Sequence, residues 1–341
     1  MTDVTGLPVI EIDAVTSARF EAEIAPAYHP VVMRGLAADW PAVRAARTSD
    51  RAIADHLLSF EGGRPSDVMA AAPEVGGRFF YRDDLRGFNF ERGKVSLSTL
   101  VGQLLAIGST PGSPAIYAGA AAAADHLPGW TAANPLPLAT PDAVPRVWIG
   151  NASRVSTHYD EARNVAVVVA GRRRFCLFPP DEIANLYPGP LDQTIAGRPV
   201  SMVDLEAPDL DRYPRFAAAR ARMQVAVLEP GDAIFIPSLW WHDVKAIGAF
   251  NVLVNYWWGQ ADAASPFPAL VHAIMAIRDM PPDERAAVRG WFDHYVFGDD
   301  ALSAADHLPT HGRGILAPPS PERTERIRSY LIGELSRARD K

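Results

Sequence analysis

Apolar positions recur with a helical period toward both ends of the chain and crowd into short strand-like runs in its middle. Near the start, a helical pattern spans about Ser17 to Ala27. The run Pro30-Val31-Val32-Met33-Arg34-Gly35 then reads as a buried strand stopped by glycine. Trp40-Pro41-Ala42-Val43 and Ile53 to Leu58 predict further helix, and Arg78-Phe79-Phe80-Tyr81 a strand closed by the turn residues Asp83-Asp84. Ser96 is placed to cap an amphipathic helix from Leu97 to Ala106, with Leu97, Leu100, Val101 and Leu104 on one stripe. Two proline-rich stretches, Thr110 to Pro114 and Asn134 to Pro145, predict ordered loops around a core.

From Arg146 to about Gly259 the pattern turns to β-rich runs. Val147-Trp148-Ile149-Gly150 is one, and Asn164 to Gly171, nearly all β-branched or alanine, is a buried strand. Arg174 to Phe178 ends at Pro179-Pro180, and Gln224 to Leu228 leads into the turn Glu229-Pro230-Gly231-Asp232. Ala233 to Pro237 follows at once, and Phe250 to Trp258 closes the set. Short strands punctuated by turns predict a mainly β jelly roll or barrel. After Gly259 the chain is helical again: Phe267 to Arg278, a helix opened by Pro281-Pro282-Asp283-Glu284, and one opened near Pro319 with Ile327, Leu331 and Leu335 in a stripe. Three segments are therefore expected: an α/β part over 1–145 packed on the core, a jelly roll over 146–260, and a helical segment over 261–341.

Composition narrows the picture. A net charge of −7 and a pI near 5.7 offer no broad basic surface, so no nucleic-acid partner is expected. The single Cys176 excludes an internal disulfide framework and a paired-cysteine zinc site, and its setting reads as an inert buried thiol. No secretory signal is visible at Met1-Thr2-Asp3-Val4, and no stretch approaches the roughly 20 apolar residues that span a bilayer. A cytoplasmic protein with no membrane partner is expected.

The candidate chemistry lies in Ser156-Thr157-His158-Tyr159-Asp160-Glu161 and in Ile236-Pro237-Ser238-Leu239-Trp240-Trp241-His242. On an extended strand, residues two apart share a face, so His158 and Asp160 project side by side. His242 closes a second strand-like run, where a jelly roll returns to the same mouth. Two histidines and one carboxylate from two strands match the donor set that holds Fe(II) and leaves positions open for substrate and oxygen. Polar residues also interrupt strands that should be apolar: Asn164, Arg173 and Asn255. Burying such groups costs several kcal/mol unless they find a partner. Arg173 offers a bidentate grip for the far carboxylate of a dicarboxylic cosubstrate. Arg172-Arg173-Arg174 also reads as a solvated hairpin turn after Gly171, and alternation puts Arg173 and Arg174 on opposite faces. Asp243 reads either as an acceptor that orients His242 or as a surface carboxylate. Trp240, Trp241, Trp257 and Trp258 read as core or pocket wall.

At these residues the chain resembles a family. Val147 to Gly259 is similar to the JmjC-type, cupin-8-like domain of Fe(II)- and 2-oxoglutarate-dependent oxygenases, with the asparaginyl hydroxylases of hypoxia-inducible factor as the branch most alike. The likeness is carried by His158-Tyr159-Asp160-Glu161 with Asn164, Phe178-Pro179-Pro180-Asp181, Leu186-Tyr187-Pro188, Pro230-Gly231-Asp232, Ile236-Pro237, Trp240-Trp241-His242 and Val254-Asn255-Tyr256-Trp257. The opening Pro30 to Gly35 and Trp40-Pro41 extend it over most of the chain.

The resemblance implies a double-stranded β-helix, with His158, Asp160 and His242 as iron ligands. It also puts Asn164 and Asn255 on the 2-oxoglutarate site and gives Tyr117 a hydroxyl for the distal carboxylate. The family has lysine where Arg173 stands and threonine where Val155 stands, with Ser156 or Thr157 available to replace that hydroxyl. It implies a dimer through C-terminal helices, for which Val288, Trp291, Phe292 and Tyr295 are a candidate stripe; packing within the chain explains the stripe as well. The expected activity is hydroxylation, or demethylation begun by the same step, on a protein or peptide side chain or a small molecule. A cupin enzyme that uses no 2-oxoglutarate and a non-catalytic jelly-roll sensor are the rival readings.

Overall fold

The computed structural model describes residues 4–138, 140, 142–195, 197–259 and 265–337. The chain divides into two compact units, Met1–Gly259 and Gln260–Lys341. The expected boundary between 260 and 261 lies outside the described residues.

In the first unit the strands are β1 (Leu7–Pro8), β2 (Ile10–Ile12), β3 (Val31–Met33), β4 (Ser66–Ala71), β5 (Arg78–Phe79), β6 (Phe90–Val95) and β7 (Ala115–Ala122). They continue with β8 (Val144–Gly150), β9 (Ser153–Tyr159), β10 (Arg163–Phe178), β11 (Gln224–Leu228), β12 (Ala233–Ile236) and β13 (Trp241–Trp258). The architecture rests on β10 and β13, which pair antiparallel along their whole length, from Arg163 opposite Trp258 to Phe178 opposite Trp241. One half of this pair is flanked by β12 and β8, the other by β11 and β9. Two four-stranded layers therefore share their central strands, which is a jelly roll. Strands of the N-terminal segment extend it: β3 pairs with β12, and β7 with β8.

The two layers join where the β10–β13 register shifts, between Val168 and Arg172. Gly171 sits there at φ +72°, and a Cβ on it would lie 2.1 Å from Asn251 Oδ1 and 2.9 Å from the Phe250 carbonyl, so only glycine fits. The shift inverts the alternation. Before it, Ala166 and Val168 face the interior; after it, Phe175 and Leu177 do. The hairpin turn expected at Arg172 to Arg174 is thus absent: β10 runs through it as one strand, with Arg172, Arg173 and Arg174 each in register with a residue of β13 and the last two also with β11.

Between the layers, Ala166, Val168, Phe175, Leu177, Ile234, Ile236, Val244 and Leu253 form the barrel's apolar interior. Each large side chain buried there contributes about 1.5–3 kcal/mol. The outer face of β10, with Val165, Val167 and Val169, is covered by helices Pro41–Thr48, Asp50–Leu58 and Leu97–Ile107. Those helices start where their caps require: Ser49 Oγ accepts from the Ala52 amide and Ser96 Oγ from the Thr99 amide, each at 3.1 Å. The expected stripe Leu97, Leu100, Val101 and Leu104 is buried as a unit.

In the second unit, helices Pro266–Ile277, Pro282–Phe292 and Pro321–Arg337 match the three expected, and Trp291, Tyr295, Leu331 and Leu335 on them or just beyond are exposed. None of the described helices is long and apolar enough to cross a membrane.

Candidate metal centre

His158 is the last residue but one of β9 and His242 the second of β13, and the two are directly opposite in register. His242 therefore begins a strand; the turn at Ser238 to Trp240, with Leu239 at φ +65°, separates it from β12. Asp160 follows β9 immediately and is tied to that turn, its carbonyl accepting from the Leu239 amide at 2.8 Å. The donor atoms of His158, Asp160 and His242 all lie within 4.8 Å of one another.

Both imidazoles are oriented by backbone. Nδ1 of His158 is 2.9 Å from the Ser156 carbonyl, and Nδ1 of His242 is 3.0 Å from the Trp240 carbonyl. A carbonyl can only accept, so each Nδ1 carries the proton and each Nε2 turns a free lone pair toward the shared space. Burial, with the neighbouring His158, pushes His242 down to about 4, which keeps it neutral at physiological pH. Its 3.7 Å approach to Asp160 Oδ2 is thus two potential metal-donor atoms side by side, not an ion pair.

The three groups open onto a cavity of about 160 Å³ inside the jelly roll. Its inner end is polar. Arg173 is 1% exposed and lines the cavity beside Tyr117, whose hydroxyl interacts with it electrostatically, but its Nε and Nη2 have no hydrogen-bond partner among the described residues. Burial raises Tyr117 to about 12, against the pull of Arg173, so its hydroxyl stays protonated. Asn255 Nδ2 donates to Asn164 Oδ1 at 2.7 Å and leaves its own Oδ1 unsatisfied. Buried donors and an acceptor that the protein leaves without partners suit the lining of a cavity that takes a polar ligand. Met69, Phe79, Phe175, Ile195, Val200, Ile236 and Leu253 supply apolar wall, and Trp148 and Trp257 line it with indole.

Thr157 is not part of this cavity. The β9–β13 register shifts between Val155 and His158, so Ser156 and Thr157 together oppose Asp243. This bulge turns both Val155 and His158 inward, and Thr157 is buried outside the cavity lining. Ser156 borders the cavity, but its Oγ accepts from Arg78 Nε at 3.1 Å. Of the two hydroxyls only that of Ser156 reaches the cavity lining, and after accepting from Arg78 it keeps its own proton to donate.

Both readings of Asp243 fail for the same reason. It is buried on the opposite face of the strand from His242, among Arg174, Arg154 and Arg78, while the Trp240 carbonyl does the orienting. Cys176 is buried, and burial pushes its thiol up to about 12. Sequence reasoning missed the apolar lining from Met69, Ile195 and Val200, since isolated apolar residues in loops and edge strands carry no pattern. It also missed the two orienting carbonyls, which no side chain announces.

A jelly roll that carries two histidines and a carboxylate at one mouth is a cupin with a metal-ready site. Residues 17–264 match the cupin-like domain family, and the chain belongs to it. The chain is similar to the lysine-specific demethylase JMJ31 of Arabidopsis thaliana, 39% identical over 122 residues, which is 36% of this chain and 22% of that protein. It is 32% identical over 146 residues to tRNA wybutosine-synthesizing protein 5 of Danio rerio, covering 38% of this chain and 42% of the relative. It is also 36% identical over 112 residues to lysine-specific demethylase 8 of Xenopus tropicalis, 33% of this chain and 24% of the relative. The matches thus span less than half the length of each of these relatives.

Proposed function

We propose that the chain is an Fe(II)- and 2-oxoglutarate-dependent oxygenase. The observation that carries this is a single cavity holding the His158, Asp160 and His242 donors at one point and a buried cation with stranded donors, Arg173, at another. The donor set fits Fe(II): two imidazoles and one carboxylate, with the rest of the coordination sphere left to ligands from the cavity. When bound there, Fe(II) supplies the redox chemistry by which O₂ and 2-oxoglutarate become succinate and CO₂ while a substrate C–H becomes C–OH.

The chain's own part is binding, orientation and exclusion of water. Arg173 and Tyr117 grip the distal carboxylate of the cosubstrate, the guanidinium through Nε and Nη2, its two unpartnered nitrogens, and the phenol through its retained proton. Asn164 and Asn255, on the same cavity lining, offer the cosubstrate amide contacts. The apolar wall keeps water from the reacting centre, which strengthens every polar contact inside. A cupin enzyme without 2-oxoglutarate, or a non-catalytic sensor, would leave Arg173 buried with no carboxylate partner among the described residues, at a cost that neither reading offsets.

For the substrate, the relatives' names point to lysine and to tRNA. The net charge of −7 argues against a phosphate backbone, so a protein or peptide side chain is the substrate class, with a small molecule second and hydroxylation the outcome. The exposed stripe of Trp291, Phe292 and Tyr295 supports a homodimer through the C-terminal helices, and the lone buried Cys176 agrees with a reducing cytoplasm.

The test is anaerobic reconstitution with Fe(II) and 2-oxoglutarate. A visible charge-transfer band, followed by succinate formation on admitting air, is the expected result. Absence of both, in protein that has taken up the metal, removes the oxygenase reading.

A further inference from the structure

The metal centre is held in place partly by a segment far from it in sequence. Tyr28 lies just before β3, with its backbone at φ +55°, a left-handed conformation that a tyrosine rarely takes. That conformation lets it make two bonds to one turn. Its hydroxyl donates to the Ser238 carbonyl at 2.7 Å, and its own carbonyl accepts from Trp240 Nε1 at 3.1 Å. The neighbouring His29 ring meets the Trp240 indole edge-on, with centroids 5.9 Å apart.

The turn so held does two things for the centre. Its Trp240 carbonyl accepts the Nδ1 proton of His242, and its Leu239 amide, itself in a left-handed residue, donates to the Asp160 carbonyl. Two of the three donor residues thus take their orientation from residues 239 and 240, and Tyr28 grips both ends of the Ser238–Trp240 turn. A left-handed, non-glycine turn persists only where surrounding contacts over-determine it.

We propose that Tyr28 is a positioning residue for the metal centre, acting through the Ser238–Trp240 turn on His242 and Asp160. The proposal rests on the reading that those residues bind a metal. The hydroxyl bond is the part that can be removed without repacking: Tyr28→Phe keeps the ring and the carbonyl and loses only the donor to Ser238. Ser238→Ala is the matched control, because it alters the same turn but keeps the backbone carbonyl that Tyr28 uses.

The experiment titrates the full chain, metal-free, with Co(II) under anaerobic conditions and follows the d–d absorption, which reports ligand geometry directly. Amide hydrogen exchange at residues 238–240 and the melting temperature are recorded on the same proteins. Tyr28→Phe is expected to weaken Co(II) binding about three- to tenfold, shift the band envelope and speed exchange in the turn, with Ser238→Ala like the wild type. A Tyr28→Phe protein with wild-type affinity and spectrum overturns the proposal, whatever its melting temperature, since a merely structural role moves only the latter. Equal losses in Ser238→Ala overturn it too, by showing that any disturbance of the turn suffices. A wild type that shows no Co(II) bands overturns the metal reading, and the proposal with it.

Discussion

Arg173 and Arg174 are neighbours on one strand with the same side chain, and each is almost wholly buried. Arg174 faces outward and is answered: it pairs with Glu206, which also takes Lys245 at 3.1 Å, beside Arg154 paired to Asp204 at 2.8 Å. Those contacts fasten the 201–206 segment to the back of the jelly roll. Arg173 faces inward and has only a neutral phenol. The contrast separates a charge used for architecture from a charge used for binding. Both side chains are buried, Arg173 the more deeply, and what separates them is whether the chain itself supplies the counter-charge.

The sharpest way to break this comparison is to truncate the inner arginine. Arg173→Ala is expected to raise the concentration of 2-oxoglutarate needed to develop the charge-transfer band by about 30-fold or more, with Fe(II) affinity little changed. Arg173→Lys keeps the charge without the fork and is expected to lose about tenfold or less. Equal losses of metal and cosubstrate would mean that Arg173 supports the cavity and does not bind its contents.

The outer pair should answer in the opposite currency. Glu206→Gln leaves Arg174 buried without its partner and is expected to lower unfolding free energy by about 2–4 kcal/mol in denaturant titrations, while cosubstrate binding stays as it was. Acid should act on the same face. Burial alone would raise Glu206 and Asp204, but hydrogen bonds from Arg174 and Lys245 to one, and from Arg154 to the other, outweigh it and hold both below the ordinary 4.5 and 3.8. A depressed carboxylate stabilises the fold above its unfolded pKa and stops doing so as pH falls through its folded one. The melting temperature should therefore drop on acidification below about pH 4.5, less steeply in Glu206→Gln.

The smallest effect is expected at Thr157. With its side chain outside the cavity, Thr157→Val should leave the 2-oxoglutarate KM within about twofold of the wild type, measured by succinate release. A larger rise would restore the hydroxyl to the site.

Much of this arrangement is legible in the residues. The β-branched run of β10, the cap at Ser96 and the His158-Tyr159-Asp160 tripeptide each carry a local signal, and each lands where that signal points. The opposed faces of Arg173 and Arg174 follow from alternation alone. What escapes is set by pairing between distant strands. Thr157 was misplaced because the bulge that excludes it exists only against Asp243 on β13, and the uninterrupted course of β10 past Gly171 depends on partners near residue 250. The tie from Tyr28 to Trp240 crosses more than 200 residues and leaves no periodicity to read.

The register shift near Gly171 has a consequence for how this chain can vary. Asn164 and Arg173 lie an odd number of residues apart, so an unbroken strand would send them to opposite sides; the shift alone brings both into the cavity. Substitutions along this stretch change one side chain at a time. A deletion of one residue would reverse everything after it, turning Arg173, Phe175 and Leu177 out and Arg174, Cys176 and Phe178 in. The length between Asn164 and Arg173 is therefore a constraint in its own right: a variant can exchange side chains there, Gly171 apart, but it cannot change the count without turning the later face outward.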